Sequence, residues 1–327
     1  MDLIKELKKR RDFFNTQLEK YLAEGTPDTL YNAARHLPMA GGKRLRPGLA
    51  MICCEAVNGD IQKVIPLSIA LELIHNFTLV HDDIMDKSKM RRNISSTHIK
   101  YGEPTAIMAG DLLFTKAFES MHNMQGECPV FKNVEFGLID CVKEICEGQQ
   151  MDLDFENRKI VSENEYLEMI RKKTAVFFQY AAEAGAIVGG GSKEEINALN
   201  EFGLNLGIGF QIWDDYLDIS SNIKTLGKDI GNDIRNGKKT LIAVHSLNNA
   251  KGEDKLIIDK IFGNLKASFQ DIEEIYVLFE KIGSIEYVKN KAIDHCEKAK
   301  NAIKILKETE AKKILFKLAN YTISREK

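Results

Sequence analysis

Three observations predict an all-α fold. Only six prolines occur in 327 residues rich in Ala, Leu, Ile, Lys and Glu, a balance that favours helix over sheet. From about Leu3 to Ala23 apolar residues recur at three- and four-residue spacing, the repeat of a helix with one buried face. No segment sustains the apolar–polar alternation of a half-buried strand.

The elements follow in order. Residues 3–23 carry the first helical pattern, which Gly25-Thr26-Pro27 ends. Thr29 to Leu37 reads as a short helix stopped by Pro38. A basic, Gly-rich loop from Ala40 to Pro47 then opens a helix that ends near Asn58-Gly59-Asp60. Ile65 to Met85 is a long apolar helix, and the basic stretch Lys87 to Asn93 marks its exit. Helices are expected over Thr105–Met121, Lys132–Asp154 and Ser162–Ile187, the last closed by Gly189-Gly190-Gly191. Lys193–Ser220 is a second long helix, and Asn222–Lys239 is polar and irregular. Thr240–Asn248, Lys255–Phe262, Gln270–Lys281 and Ile285–Leu318 supply the remaining helices.

Bulk properties exclude several classes. Lys+Arg 46 against Asp+Glu 48 leaves a net charge of -2, which does not suggest a nucleic-acid or membrane-surface binder. The six cysteines form no C-x-x-C pair and read as reduced residues rather than a disulfide framework. The first residues lack a signal-peptide pattern, and no uninterrupted run of 18 apolar residues occurs. A cytoplasmic protein with no integral membrane association is expected.

Chemistry concentrates in an acidic signature that occurs twice, Asp82-Asp83-Ile84-Met85-Asp86 and Asp214-Asp215-Tyr216-Leu217-Asp218. Each copy puts carboxylates at i and i+4, one face of a helix, within apolar sequence. Burying that much negative charge is costly unless a cation is captured. Carboxylates in an open arrangement suit Mg²⁺, whose remaining positions water and substrate phosphates complete. One copy alone reads as a solvated helix end. Two copies at the ends of two apolar helices read as a metal-dependent site for a polyanion.

Basic residues accompany both clusters. Lys43 and Arg46 lie in the Gly-Gly loop at a helix start, where free N–H groups also favour anions. Arg91 and Arg92 follow the first cluster, Lys173 and Thr174 sit within a predicted helix, and Lys228 and Lys238 follow the second cluster. His75, seven residues before Asp82, is either a satisfied core histidine or a donor to a diphosphate oxygen. Gly41-Gly42-Lys43 is not a P-loop, and no zinc-ligand spacing is present.

Together these residues resemble the trans-isoprenyl diphosphate synthases, or polyprenyl synthetases. The family's two aspartate-rich motifs match Asp82–Asp86 and Asp214–Asp218, and its G-G-K-R-x-R-P element matches Gly41–Pro47. Arg91-Arg92, Gly148–Asp152, Lys173-Thr174, Gln211, Gly227–Asp233 and Gly237–Thr240 match further elements. The resemblance implies a single domain over residues 1–327, with long antiparallel helices around a deep central cavity. It implies that Asp82, Asp86 and Asp214, with Asp218 assisting, hold Mg²⁺, about three ions per active site with Mn²⁺ as a substitute. Arg91, Lys173, Thr174, Gln211, Lys228 and Lys238 would clamp the allylic diphosphate. Lys43, Arg46, His75 and Arg92 would hold isopentenyl diphosphate. Family members are usually homodimers.

The implied activity is a head-to-tail condensation of isopentenyl diphosphate with C5, C10 and C15 allylic diphosphates. The apolar face before Asp82 would wall the growing tail, with Phe77 about 7.5 Å below that aspartate. Phe77 is followed by Thr78, not by a second aromatic, which resembles archaeal-type enzymes making geranylgeranyl diphosphate, with farnesyl diphosphate as co-product. The alternatives are a class I terpene cyclase, which would need no second diphosphate site, and a non-catalytic subunit of a prenyl synthase.

Overall fold

Asp2 caps the first helix, its carboxylate accepting from the N–H groups of Ile4 at 3.0 Å and Lys5 at 3.4 Å. The computed structural model describes residues 2–124, 129–156, 158–224 and 232–325. Chain contacts divide it into two compact units. Unit 1 comprises Met1–Asp140, Tyr180–Asn200 and Ile305–Leu315, and unit 2 comprises Cys141–Gln179, Glu201–Lys304 and Phe316–Lys327.

The fold is all-α. Its helices are α1 (Leu3–Tyr21), α2 (Asp28–Met39), α3 (Leu45–Ala56), α4 (Ile65–Met85), α5 (Thr97–Tyr101), α6 (Glu103–His122), α7 (Pro129–Glu156) and α8 (Glu163–Ile170). After them come α9 (Val176–Val188), α10 (Lys193–Lys224), α11 (Asn232–Arg235), α12 (Leu241–Asn249), α13 (Gly252–Ile261), α14 (Phe269–Lys281), α15 (Ser284–Ala302) and α16 (Glu310–Thr322).

Four local outcomes differ from the pattern reading. Pro38 lies inside the last turn of α2, which runs on to Met39. The basic stretch after α4 is not a plain loop: β1 (Met90–Arg91) pairs antiparallel with β2 (Ile94–Ser95), Arg91 opposite Ile94. Arg92 and Asn93 form its two-residue turn with φ of 51° and 63°, the left-handed conformation that such hairpins require. The expected helix over Ser162–Ile187 is interrupted by a π-helical turn at Arg171–Ala175. The last expected helix breaks into α15, a 3₁₀ turn at Ile303–Ile305, and α16.

In unit 1, α4 packs along α6 and against α3. Its core includes Phe14, Leu18, Leu37, Leu49, Ile52, Leu67, Leu71, Ile74 and Leu113. The stretch Ile61–Met85 is long and apolar enough to cross a membrane, but 67% of its most apolar window is buried, as in a core helix. It also carries Glu72, Asn76 and Asp83 into the interior, each 2% exposed or less. Unit 2 has its own core, in which Tyr166, Ile212, Leu241, Ile275, Phe279 and Val288 take part. There α12 packs against α8, α14 and α15.

Candidate active site

The site residues of unit 1 are arranged by one buried carboxylate. Gly41 and Gly42, at φ of 95° and 147°, turn the chain into α3. A Cβ on Gly42 would lie 3.1 Å from the guanidinium carbon of Arg92, so glycine is what lets the two segments touch. Arg44, itself left-handed at φ 51°, turns inward. Its guanidinium grips Glu72 and donates to Asn15 Oδ1 at 3.0 Å and Pro38 O at 2.5 Å. Arg92 donates to Gly41 O at 2.5 Å, Leu37 O at 3.2 Å and Asn76 Oδ1 at 3.2 Å, and lies 3.7 Å from Glu72. Asn76 Nδ2 donates to the same Glu72 oxygen at 2.8 Å. With Arg44 committed inward, Lys43 remains exposed and Arg46 partly exposed at the first turn of α3.

Basic residues at a helix N-terminus oppose the helix dipole, and the first turn of α3 has no acidic residue to offset them. His75 registers this field. Burial, then Arg46, Arg92, Arg44 and Arg91, hold its imidazole well below the usual histidine range, so it is neutral at pH 7. A neutral imidazole among guanidiniums suits an anion, to which its N–H can donate.

The first acidic cluster divides its labour. Asp83 is buried, and Arg91 donates to its Oδ1 from Nε at 2.9 Å and from Nη2 at 2.6 Å. Asp83 Oδ2 is buried with no hydrogen-bond partner among the described residues. Asp82 is partly exposed and Asp86, the C-cap of α4, is exposed; the Asp86 N–H bonds Asp82 O at 2.8 Å. Both carboxylates sit at the negative end of the α4 dipole, which adds to their pull on a cation.

Phe77 stands on the same helix beneath this cluster. Its ring packs edge-on to His81 at 4.9 Å and against Phe114 of α6 at 5.3 Å, and Phe114 in turn meets Phe118 at 5.0 Å. His81 also bonds Ile107 O at 3.2 Å.

In unit 2 the π-helical turn sets the site. A Cβ on Gly148 of α7 would lie 2.2 Å from Lys173 N, so only glycine allows that helix to approach the turn so closely. Lys173 reaches Asp152 at 2.5 Å, joining two of the expected motifs. Thr174 donates to Gln211 Oε1 at 3.0 Å, and Gln211 Nε2 donates to Asp215 Oδ1 at 3.1 Å. Tyr166 OH donates to Asp215 Oδ2 at 2.5 Å, and Leu241 N approaches it at 3.4 Å. Burial, opposed by these donors and Lys238, pushes the Asp215 carboxyl up to about 6. Asp152, Lys173, Thr174, Gln211, Asp215 and Lys238 line a cavity of about 60 Å³. Lys238 lies 3.8 Å from Asp233. Asp214 is paired with Arg325 at 2.7 Å. Lys228 and the side chain of Asp218 lie outside the described residues.

Sequence reasoning missed Glu72, Arg44, Asn76, Tyr166 and Arg325. Glu72 was within reach of the rule that flagged the aspartates, since it is a carboxylate in the most apolar stretch of the chain. Nothing local signals Arg325.

Among the described residues no group of three or more His, Cys, Asp or Glu side chains is placed to hold a metal alone. Mg²⁺ is usually bound through one or two carboxylates and completed by water and phosphate. Asp82 with Asp86, and separately Asp214, offer carboxylate oxygen donors of the kind a hard divalent cation takes.

Residues 27–279 match the family model described as polyprenyl synthetase. The chain is 42% identical over 327 residues to a geranylgeranyl diphosphate synthase of Methanosarcina mazei, covering 100% of this chain and 99% of that one. It is 41% identical over 326 residues to a short chain isoprenyl diphosphate synthase of Methanothermobacter thermautotrophicus, covering 100% and 99%. A crystal structure of a geranylgeranyl pyrophosphate synthetase from Pyrococcus horikoshii superposes with a TM-score of 0.93 at 42% identity, covering 99% of this chain and 98% of that one.

Proposed function

The chain belongs to the polyprenyl synthetase family, and from that premise we propose how this short-chain prenyl diphosphate synthase divides its work among its residues. It is a prenyltransferase that condenses isopentenyl diphosphate with allylic diphosphates, and its main product is geranylgeranyl diphosphate, with farnesyl diphosphate beside it. The observation that carries the reading is the cavity that Asp152, Lys173, Thr174, Gln211, Asp215 and Lys238 line together, residues of separate sequence elements brought to one place.

Lys43, Arg46, His75 and Arg92 hold the diphosphate of isopentenyl diphosphate. The Gly41-Gly42 turn and Glu72 keep these groups in place, because Glu72 takes up the charge of Arg44 and steadies Arg92. Asp82, Asp86 and Asp214, with Asp218, would hold Mg²⁺, whose charge would offset the negative charge of the leaving diphosphate. Lys173, Thr174, Gln211, Lys228 and Lys238 supply donors and positive charge to the allylic diphosphate, and Arg91 does so while orienting Asp83. Ionisation of the allylic carbon–oxygen bond leaves a cation that the double bond of isopentenyl diphosphate attacks. A proton is then lost to the released diphosphate, so no side chain is assigned as base. The apolar wall at Phe77 keeps water from the cation and stops the tail.

The protein is assigned as a cytoplasmic homodimer, the family's usual state. Exposed apolar side chains such as Met108 of α6 and Phe136 of α7 are available for such pairing.

The test is incubation with Mg²⁺, dimethylallyl diphosphate and excess isopentenyl diphosphate, followed by mass resolution of the dephosphorylated alcohols. A dominant C20 alcohol supports the full reading. Mostly C15 keeps the reaction and moves the floor above Phe77. Diphosphate release from a C15 or C20 substrate without condensation would replace this reading by a terpene cyclase.

A further inference from the structure

Arg325 is a buried basic side chain at the second acidic cluster, and no part of the reaction described above uses it. Its side chain is only 4% exposed, although it carries a permanent charge. Besides the contact to Asp214 and the bond from its N–H to Tyr321 O at 3.1 Å, several side-chain and carbonyl contacts hold the residue. Its guanidinium stacks on the Phe210 ring at 3.8 Å and donates to Phe210 O at 3.1 Å. Its Nε donates to Thr322 O at 3.2 Å, and its own carbonyl accepts from Trp213 Nε1 at 3.2 Å. Phe210, Trp213 and Asp214 fall at i, i+3 and i+4 on α10, one face of that helix. The segment bearing Arg325 is therefore seated on the same helical face that presents Asp214.

We infer that Arg325 is a positioning residue for Asp214: it holds Oδ1 of that carboxylate and so fixes the orientation in which Asp214 meets a divalent cation. The alternative role, a latch that competes with the cation and leaves when it arrives, fits the contacts poorly. Stacking on Phe210, the bonds to Phe210 O and Thr322 O, and the Trp213 clasp are all independent of the Asp214 charge. A buried guanidinium so held stays where it is. Groups that orient metal ligands in this way typically contribute about 10–100-fold to metal affinity. The inference rests on the assignment of Asp214 as a metal carboxylate.

The experiment counts Mn²⁺ bound at fixed inorganic diphosphate by electron paramagnetic resonance, in the wild-type chain, Arg325→Gln, Arg325→Lys and Asp214→Asn. Arg325→Gln is expected to raise the Mn²⁺ concentration at half-saturation about tenfold, with Arg325→Lys in between because it keeps a cation but not the planar fork. Trp213, the chain's one tryptophan, reports whether the segment stays seated. Where glutamine releases it, seen as redder emission, the lysine variant carries the comparison. Arg325→Gln tighter than or equal to wild type, with Trp213 emission unchanged, would overturn the inference, as would a lysine variant that titrates like wild type. Asp214→Asn titrating like wild type would remove the assignment of Asp214 as a ligand, and the inference with it.

Discussion

Arg91 donates two hydrogen bonds to one oxygen of Asp83, at 2.9 and 2.6 Å, so the middle acid of the first cluster is the counter-ion of a residue expected to serve substrate. The pair ties the β1–β2 hairpin to the end of α4, the element that presents Asp82 and Asp86. Asp83 therefore acts on its neighbours through Arg91 and the hairpin. Replacing it by Asn keeps the shape but removes the charge that holds Arg91. The expected result is a fall in kcat of about 10–100-fold, the range seen when a group that orients ligands is lost. Steady-state kinetics of Asp83→Asn at saturating Mg²⁺ measure it, and a kcat equal to wild type would reduce the pair to a structural tie.

Glu72 should matter to stability and to isopentenyl diphosphate alike. It is the buried acceptor for Arg44 and Asn76, with Arg92 close by. Breaking a buried ion pair from one side typically costs about 3–5 kcal/mol, because the remaining charge stays buried without a partner. Glu72→Gln is expected to lose stability of that order in urea unfolding and to raise KM for isopentenyl diphosphate more than for the allylic substrate. An equal rise in both would mean that the substitution loosens the fold without acting on one substrate.

His75 gives the stability a pH dependence with a definite sign. Its pKa is depressed in the folded chain, whereas the unfolded chain has the ordinary value of about 6.5. As pH falls below about 6.5 the unfolded state takes up a proton that the folded state refuses, so stability is lost. The slope from this one group approaches about 1.4 kcal/mol per pH unit. Urea midpoints at pH 7.5 and 5.5 should therefore differ less in His75→Asn than in wild type. Inorganic diphosphate should reduce the wild-type slope, since an anion beside the ring favours its charged form. Identical slopes in the two proteins would place the field elsewhere.

Phe77 is backed by Phe114, at 5.3 Å between ring centres, and Phe114 by Phe118. If Phe77 is the floor for the growing tail, Phe77→Ala lengthens the product. The Phe114 ring behind it then limits the gain, so Phe77→Ala with Phe114→Ala lengthens it further. Chain lengths of the dephosphorylated alcohols from both variants decide this, and lengths unchanged in the double variant would exclude this aromatic row as the floor.

Lys173 shows where local pattern was sufficient and where it stopped. Its role at the site came from the resemblance of Lys173-Thr174 to a family element, but the pattern suggested an ordinary helix where the chain makes a π-helical turn. That turn goes with the close approach of Gly148, a contact between two segments that no window of neighbouring residues contains. Similarly, the stretch after Asp86 lacked strand alternation because two-residue strands are too short to show a period.

The sequence alone determined the helical character and the shared face of Asp82 and Asp86, because a helix puts residues four apart side by side whatever surrounds it. It also determined that both acidic clusters lie in apolar surroundings and that basic residues accompany them. Only the tertiary structure decided which charges satisfy one another inside the protein. Arg44 turns to Glu72, 28 positions away, and Arg325 receives the Trp213 indole across 112 positions. Such pairings depend on which helices pack together, and packing is set by the summed burial of whole faces rather than by the spacing of any one motif.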